Sequence, residues 1–149
     1  MKTDSFHIDF ETSIGPWLGK TVKLVDYRMH EAFNSAELDL TKEQMLVLKK
    51  LYEKGGLNQN ELACLTYRDK SSLARLLSTM ESKGYITRRK NEKDRRINDV
   101  FLTETGQNTY KNSQPVIKKL INTMENGITQ DEKKQIIAIL KKIQANFTE

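Results

Sequence analysis

The feature that most constrains the fold is an amphipathic segment over residues 69–83. Taking Leu73 as the reference and advancing about 100° per residue, Leu76, Leu77 and Met80 lie on the same side of a helix. This spacing predicts a helix that buries a single apolar stripe. Burial of this stripe leaves the opposite side of the helix facing away from the core.

The opposite side of this helix carries Arg75 between Ser71, Ser78 and Ser82. Short hydroxyl side chains allow a helix to approach a groove closely, and an arginine there can reach a base edge or a phosphate. The pattern predicts a face that contacts a polar partner. The alternative is an ordinary solvent-facing side, although such a side more often carries long Glu and Lys.

A short helix over residues 59–65 precedes this segment, and the tetrapeptide TYRD separates the two. A short helix, a tight turn and a longer helix in this order form a helix-turn-helix, in which the second helix is the recognition helix. Gly84 then suits the left-handed residue that ends many helices.

Two strands, over residues 85–90 and 97–103, follow and predict a β-hairpin wing. Its tip carries Asp94, Arg95 and Arg96. A narrow tip fits the minor groove of DNA, where the negative potential attracts arginine. Asp94 is expected to orient one of the arginines through a charge-assisted hydrogen bond. A plain solvated hairpin turn is the alternative.

Positive charge is concentrated in the same part of the chain. Residues 68–96 contain ten Lys or Arg against four acids, a net charge of +6, whereas the whole chain carries +5. The other residues therefore sum to −1. Such a local excess is typical of a surface that binds a polyanion, and it makes Arg68 and Arg88 further candidate contacts. A solvated basic face is the alternative.

Several functional classes are disfavoured by composition. One cysteine, Cys64, excludes an intrachain disulfide, and His7 and His30 lie too far apart in sequence to suggest a metal cluster. No Gly-rich phosphate loop or nucleophile elbow indicates an enzyme. No signal-peptide core or membrane span is visible, so we expect a cytoplasmic protein without a membrane partner. Cys64 is expected to be a small half-buried residue, with redox sensing as the alternative.

The first helix and the helical stretch over residues 103–147 carry more apolar side chains than a small lobe can cover. Capping boxes at Thr41 and Thr129 mark where the second and the last helix begin. Contiguous exposed apolar surface usually marks an interface, although these helices could instead pack on their own lobe. The residues expected in a dimer interface are Trp17, Val22, Ile117, Leu120, Met124, Ile136, Leu140 and Ile143.

The segments LDLTKEQMLVLKKL, DKSSLARLLSTMESKGYITR and KDRRINDVFLTETG together resemble the MarR-type winged-helix transcription regulators. The resemblance covers residues 14–147 and implies a mainly α fold with a small β-hairpin wing (α+β). It implies one domain over residues 1–149, made of a winged helix-turn-helix lobe and a helical dimerisation region. The lobe is expected at residues 41–103 and the dimerisation helices at 12–36 and 104–147.

The resemblance also implies a homodimer that binds double-stranded DNA at a pseudo-palindromic operator. No cofactor is implied, but a small aromatic or anionic effector is expected in a pocket lined by the first and second helices. A ligand-responsive repressor is the favoured function, and a winged-helix module that binds an acidic protein is the alternative. Lys70, Ser71, Ser72 and Arg75 are expected to contact the major groove and phosphates, and Arg95 and Arg96 to act at the wing, with Asp94 bracing Arg96.

Overall fold

A computed structural model describes residues 7–148 of the chain, so residues 1–6 and 149 of the predicted domain lie outside the described part. Within that part the chain forms helices at both ends and a small sheet between them. In order, the elements are α1 (Ile14–Ser35), α2 (Lys42–Lys54), β1 (Leu57–Asn58), α3 (Gln59–Thr66), α4 (Lys70–Ser82), β2 (Ile86–Lys90), β3 (Asn98–Leu102), α5 (Glu104–Met124) and α6 (Gln130–Phe147).

Side-chain caps explain where α2 and α6 begin. In α2, the Thr41 hydroxyl accepts from the Gln44 N–H and the Gln44 side chain accepts from the Thr41 N–H, both at 3.2 Å. Thr129 and Glu132 form the same reciprocal pair before α6. Each capping box satisfies two backbone donors that a helix leaves unpaired. The predicted starts of α2 and α6 are confirmed.

The sheet has strand order β1-β3-β2 and is antiparallel throughout. Val100 in the central strand pairs with Leu57 on one side and with Arg88 on the other. The predicted hairpin of β2 and β3 is confirmed, whereas β1 was not predicted. Its two residues are too few for any periodicity to reveal a strand.

The hydrophobic core lies between α2, α3, α4 and the sheet, and it fixes how α4 is turned. Leu73, Leu77 and Met80 are buried and Leu76 is half-buried, as the apolar stripe predicts. α1 contributes only Phe33 to the buried set. The remaining buried apolar residues are Leu40, Met45, Val47, Leu48, Leu51, Leu57, Leu62, Ala63, Tyr85, Ile86, Val100 and Tyr110.

Three helices, α1, α5 and α6, leave much of their apolar surface uncovered. α6 has no buried residue among those described, although Leu140 and Ile143 are half-buried. Leu120 is also half-buried, and Ile117 packs partly against the core of its own lobe. Within residues 7–148 no helix is long and apolar enough to cross a lipid bilayer. The large exposed apolar side chains of these helices include Trp17, Val22, Tyr27, Ile121, Met124, Ile136, Ile137 and Ile139.

Gly106 allows α5 to begin directly against the turn that ends α4. The Thr103 side chain caps α5 by accepting from the Gly106 N–H at 3.0 Å and donates to the Gly84 carbonyl oxygen. A Cβ atom on Gly106 would overlap the backbone carbonyl of Tyr85. Glycine is therefore required at position 106, the last residue of the segment LTETG (residues 102–106), because a side chain would prevent this close approach.

We expect Gly106→Ala to lower the free energy of unfolding by about 1–3 kcal/mol, because the added methyl forces α5 away from Tyr85. Helix propensity alone would raise the free energy of unfolding, since Ala is favoured over Gly in a helix by about 1 kcal/mol. Urea unfolding followed by circular dichroism measures the change. Thr105→Ala, at an exposed site in the same turn, is the control and should be neutral or slightly stabilising. Unchanged or increased stability of Gly106→Ala would contradict the close approach.

Candidate nucleic-acid interface

The face of α4 that is turned away from the core presents the predicted polar residues. Ser71, Arg75, Ser78 and Ser82 are all exposed. Within residues 7–148 the Arg75 side chain makes no ion pair. Its guanidinium is therefore available to a partner, and its neighbours are short enough to let that partner approach the helix backbone.

Asp69 caps the N-terminal end of α4. Its carboxylate accepts from the Ser72 N–H at 2.8 Å. The guanidinium of Arg68 donates from Nη2 to the Ser72 hydroxyl at 2.7 Å, so the structure brings together two residues predicted as separate contacts. Lys70, the first helical residue, is exposed. The N-terminal turn of α4 thus offers one exposed lysine and a fixed arginine.

A Schellman motif ends α4. Gly84 has a positive φ of 78°, its N–H donates to the Glu81 carbonyl oxygen at 2.9 Å, and the Tyr85 N–H donates to the Met80 carbonyl oxygen at 3.0 Å. These bonds satisfy carbonyl groups that a helix end leaves unpaired. The left-handed Gly84 predicted from the sequence is confirmed, and it directs the chain back into β2.

Lys83 ties the C-terminal end of α4 to the start of α2. Its Nζ donates to Asp39 Oδ1 at 2.9 Å and to Gln44 Oε1 at 3.1 Å. The Tyr85 hydroxyl donates to the Asp39 carbonyl oxygen at 2.7 Å. Burial, followed by the nearby charge of Asp39, raises the pKa of Tyr85, so this hydroxyl remains a donor at neutral pH. Residues far apart in sequence thereby set the angle of α4.

Arg88 links the wing to α4. Its Nη2 donates to Glu81 Oε1 at 3.1 Å and to the Ser78 hydroxyl at 3.3 Å, and its backbone N–H donates to Glu81 Oε2 at 3.1 Å. The Arg88 side chain holds the pKa of Glu81 below its usual value. Arg88 therefore lies inside the candidate interface with part of its hydrogen-bonding capacity already used. Its contact with DNA stays a prediction.

At the wing tip the structure brings Asp94 and Arg96 together. Arg96 Nε donates to Asp94 Oδ1 at 3.0 Å, and Arg96 Nη2 donates to Asp94 Oδ2 at 3.2 Å. This two-point contact orients the guanidinium, and the Arg96 side chain holds the pKa of Asp94 below its usual value. Arg95 is exposed beside it.

A cleft of about 450 Å³ separates the wing tip from the start of α4. Lys70 and Arg96 both line this cleft, so a cation of α4 and a cation of the wing tip lie at one site. The cleft joins the α4 face and the wing into one basic surface. Its lining residues are Gln59, Asn60, Lys70, Leu73, Asp94, Arg96, Ile97 and Asn98.

Two residues near the turn between α3 and α4 differ from expectation. The prediction of a half-buried Cys64 is wrong, because Leu62 and Ala63 occupy the core-facing positions of α3 and Cys64 is exposed. Tyr67 was not singled out by the sequence, yet it adopts the left-handed conformation at the end of α3. A signal was available, because a bulky residue stood where a helix end favours Gly or Asn.

A second candidate site lies between α1 and α2. Here Lys42 Nζ pairs with Asp26 Oδ1 at 2.9 Å, at the edge of a cavity of about 200 Å³. His30 and Phe33 of α1 line it, as do Leu40 and Thr41 from the start of α2. A larger, open hollow of about 800 Å³ lies between α1 and α5.

Comparisons with known proteins agree with this geometry. The model of the MarR family matches residues 40–97. The uncharacterized HTH-type transcriptional regulator YybA of Bacillus subtilis is 31% identical over 111 residues, which cover 74% of this chain and 74% of YybA. The crystal structure of a mutant MarR from E. coli complexed with operator DNA is 28% identical, has a TM-score of 0.75, and is matched over 91% of this chain and 99% of that chain.

BpsR of Bordetella bronchiseptica, whose DNA binding is regulated by 6-hydroxynicotinic acid, has a TM-score of 0.84 over 93% of this chain and 97% of its own. At 18% identity this likeness shows the fold alone. The predicted fold, mainly α with a small β-hairpin wing, is confirmed by these likenesses.

We expect the Asp94 carboxyl to titrate below its usual pKa of about 3.8. This pKa is lower in the folded chain than in the unfolded chain. The contact with Arg96 therefore stabilises the wing at pH values above the pKa of the unfolded chain, and this stabilisation is lost as the pH falls through the pKa of the folded chain. Carboxyl ¹³C NMR titration measures the pKa.

Arg96→Ala should return the pKa of Asp94 towards its usual value, whereas the neighbouring Arg95→Ala is the control and should leave it lowered. An Asp94 carboxyl that titrates normally in the unaltered protein would contradict the contact. The same conclusion would follow if the two variants gave equal pKa values.

Proposed function

Because this chain belongs to the MarR family of transcriptional regulators, we propose that it binds double-stranded DNA as a homodimer and acts as a ligand-responsive repressor. The observation that carries this proposal is the outward face of α4, where Arg75, which makes no ion pair with any described residue, stands among serines beside a basic wing. Its operator is a pseudo-palindrome, since a two-fold dimer presents two identical reading surfaces.

In the proposed complex α4 enters the major groove and reads base edges. Arg75 makes the sequence-specific contact, because a guanidinium can donate two hydrogen bonds to the O6 and N7 atoms of guanine. Lys70, Ser71 and Ser72 lie about one turn earlier, where a recognition helix meets bases and the flanking phosphates. Arg68 supports this end of the helix through its bond to Ser72.

The wing is proposed to lie in the adjacent minor groove. Arg96 is oriented by Asp94. The Arg95 side chain is exposed and makes no ion pair within residues 7–148, so the tip combines one oriented and one adaptable cation. Arg88 supports the wing from within through its bonds to Glu81 and Ser78. Minor-groove arginines respond chiefly to groove width and potential rather than to individual bases.

The homodimer is supported by the exposed apolar surface of α1, α5 and α6. Residues 12–36 and 104–147 form the proposed dimerisation region, and residues 41–103 form the DNA-binding lobe. Trp17, Val22, Met124 and Ile136 are exposed on these helices, and water contact with so much apolar area is unfavourable. The half-buried members of the proposed interface are Ile117, Leu120, Leu140 and Ile143.

The cavity between α1 and α2 is the proposed effector site. Lys42 lies at its edge and could exchange its pairing with Asp26 for an anionic ligand. The same stretch, Leu40 to Thr41, adjoins the junction where Lys83 binds Asp39 and Gln44. A ligand that shifts the start of α2 would therefore shift α4. Such a ligand changes DNA binding only if it binds the protein more tightly with α4 in one of these two positions than in the other.

Selection of duplexes from random DNA, followed by fluorescence anisotropy at two salt concentrations, tests the proposed function. We expect about 1,000-fold or greater preference for the selected duplex over a scrambled one of equal length. Equal, weak and salt-sensitive binding to both would contradict it. The basic surface would then be assigned to an acidic protein partner.

Two substitutions separate base reading from phosphate binding. Arg75→Ala should cost about 1–3 kcal/mol on the selected duplex and relax preference at one base position, because a bidentate base contact is lost. Arg95→Ala should weaken binding to every sequence and flatten the dependence on salt, because a phosphate contact is lost with its released counterion. Equal losses on selected and scrambled DNA for Arg75→Ala would contradict its role in specificity.

A further inference from the structure

Tyr67 has an unusual backbone conformation and an unusual exposure. It ends α3 with φ 55° and ψ 35°, in the left-handed region, where an L-residue with a side chain is strained and glycine is not. Its side chain is 97% exposed. Within residues 7–148 its hydroxyl makes no hydrogen bond, so the fold gains neither packing nor a polar contact from the tyrosine.

A strained residue that does not stabilise its own chain points to a role in binding. Glycine or asparagine would close α3 at lower cost. Large aromatic side chains are favoured at binding surfaces because they offer much contact area with few rotatable bonds, and the tyrosine hydroxyl usually finds a partner. The feature that needs explaining is therefore the side chain of Tyr67, since the backbone would be better served without it.

The position of Tyr67 indicates which partner it meets. It lies in the turn between α3 and α4, two residues before the Asp69 cap. When a recognition helix lies in the major groove, the helix before it crosses the sugar-phosphate backbone. The connecting turn then passes over the phosphates at the edge of the groove.

The neighbouring arginine in this turn is less accessible. Arg68 is half-buried, directs Nη2 to the Ser72 hydroxyl at 2.7 Å and has a buried Nε. Among residues 66–69 the phenol of Tyr67 is thus the exposed side-chain donor. A tyrosine hydroxyl is one of the side-chain donors that proteins use on phosphate oxygens.

We propose that the Tyr67 hydroxyl donates a hydrogen bond to a backbone phosphate of the DNA and so sets the depth and register of α4 in the groove. The proposal rests on the DNA-binding function given above. The contact is neutral, so it displaces no counterion. That property distinguishes it from the contacts of the nearby lysine and arginines.

The test compares Tyr67→Phe, Tyr67→Gly and Lys70→Ala with the unaltered protein on the selected duplex over a series of salt concentrations. Tyr67→Phe should weaken binding about tenfold, the loss expected for a hydrogen bond to a charged group, with an unchanged slope of log affinity against log salt concentration. Lys70→Ala should lower the magnitude of that slope by about 0.9. Tyr52→Phe, on an exposed tyrosine of α2 that lies outside both the candidate interface and the proposed dimerisation region, is the matched control and should bind normally.

Tyr67→Gly separates binding from stability, because a tyrosine that only stabilised the fold would lower the unfolding temperature when it is removed. We expect it to bind at least as weakly as Tyr67→Phe and yet to unfold at a higher temperature, because glycine relieves the left-handed strain. A lower unfolding temperature would overturn the inference of strain. A Tyr67→Phe variant that binds as tightly as the unaltered protein would overturn the phosphate contact alone, whereas an unaltered protein without sequence preference would overturn the proposed function and this contact with it.

Discussion

Burial of the apolar stripe of α4 is the constraint on which the candidate interface depends. Leu73, Leu77 and Met80 are almost completely removed from water, and each contributes on the order of 1.5–3 kcal/mol to stability by that burial. A helix is rigid about its axis, so fixing this stripe leaves Arg75 facing outward. The orientation of the outward face of α4 is thus a consequence of core packing, and no separate interaction is needed to produce it.

The ends of α4 are fixed by different means. Asp69 closes the N-terminal end locally, whereas Lys83 joins the C-terminal end to Asp39 and Gln44, about forty positions earlier in the chain. Arg88 then holds the wing against the same helix through Glu81. Helix and wing therefore form one unit, in which the exposed ion pairs serve more to set orientation than to add stability, since such pairs contribute little.

Local patterns in the sequence were sufficient for much of this arrangement. Capping at Thr41, the apolar stripe after Lys70 and the left-handed Gly84 all depend on residues within one or two helical turns, and each could be predicted. The exposure of Cys64 could not, because α3 is too short for its apolar residues to define one side. The junction at Lys83 was also hidden, since its partners are brought near only by the tertiary fold. The left-handed conformation of Tyr67 has a weaker signal, since a helix end without Gly or Asn indicates an unusual residue there but not its exposure.

Hydroxyl-radical footprinting of the protein on its selected duplex tests whether two copies present two α4 helices and two wings to one face of DNA. We expect two protected segments about 10 base pairs apart from centre to centre, or a multiple of that spacing. Each segment should be flanked by minor-groove protection that is lost in Arg96→Ala. A single protected segment, with one copy of the chain bound per duplex, would rule out this arrangement.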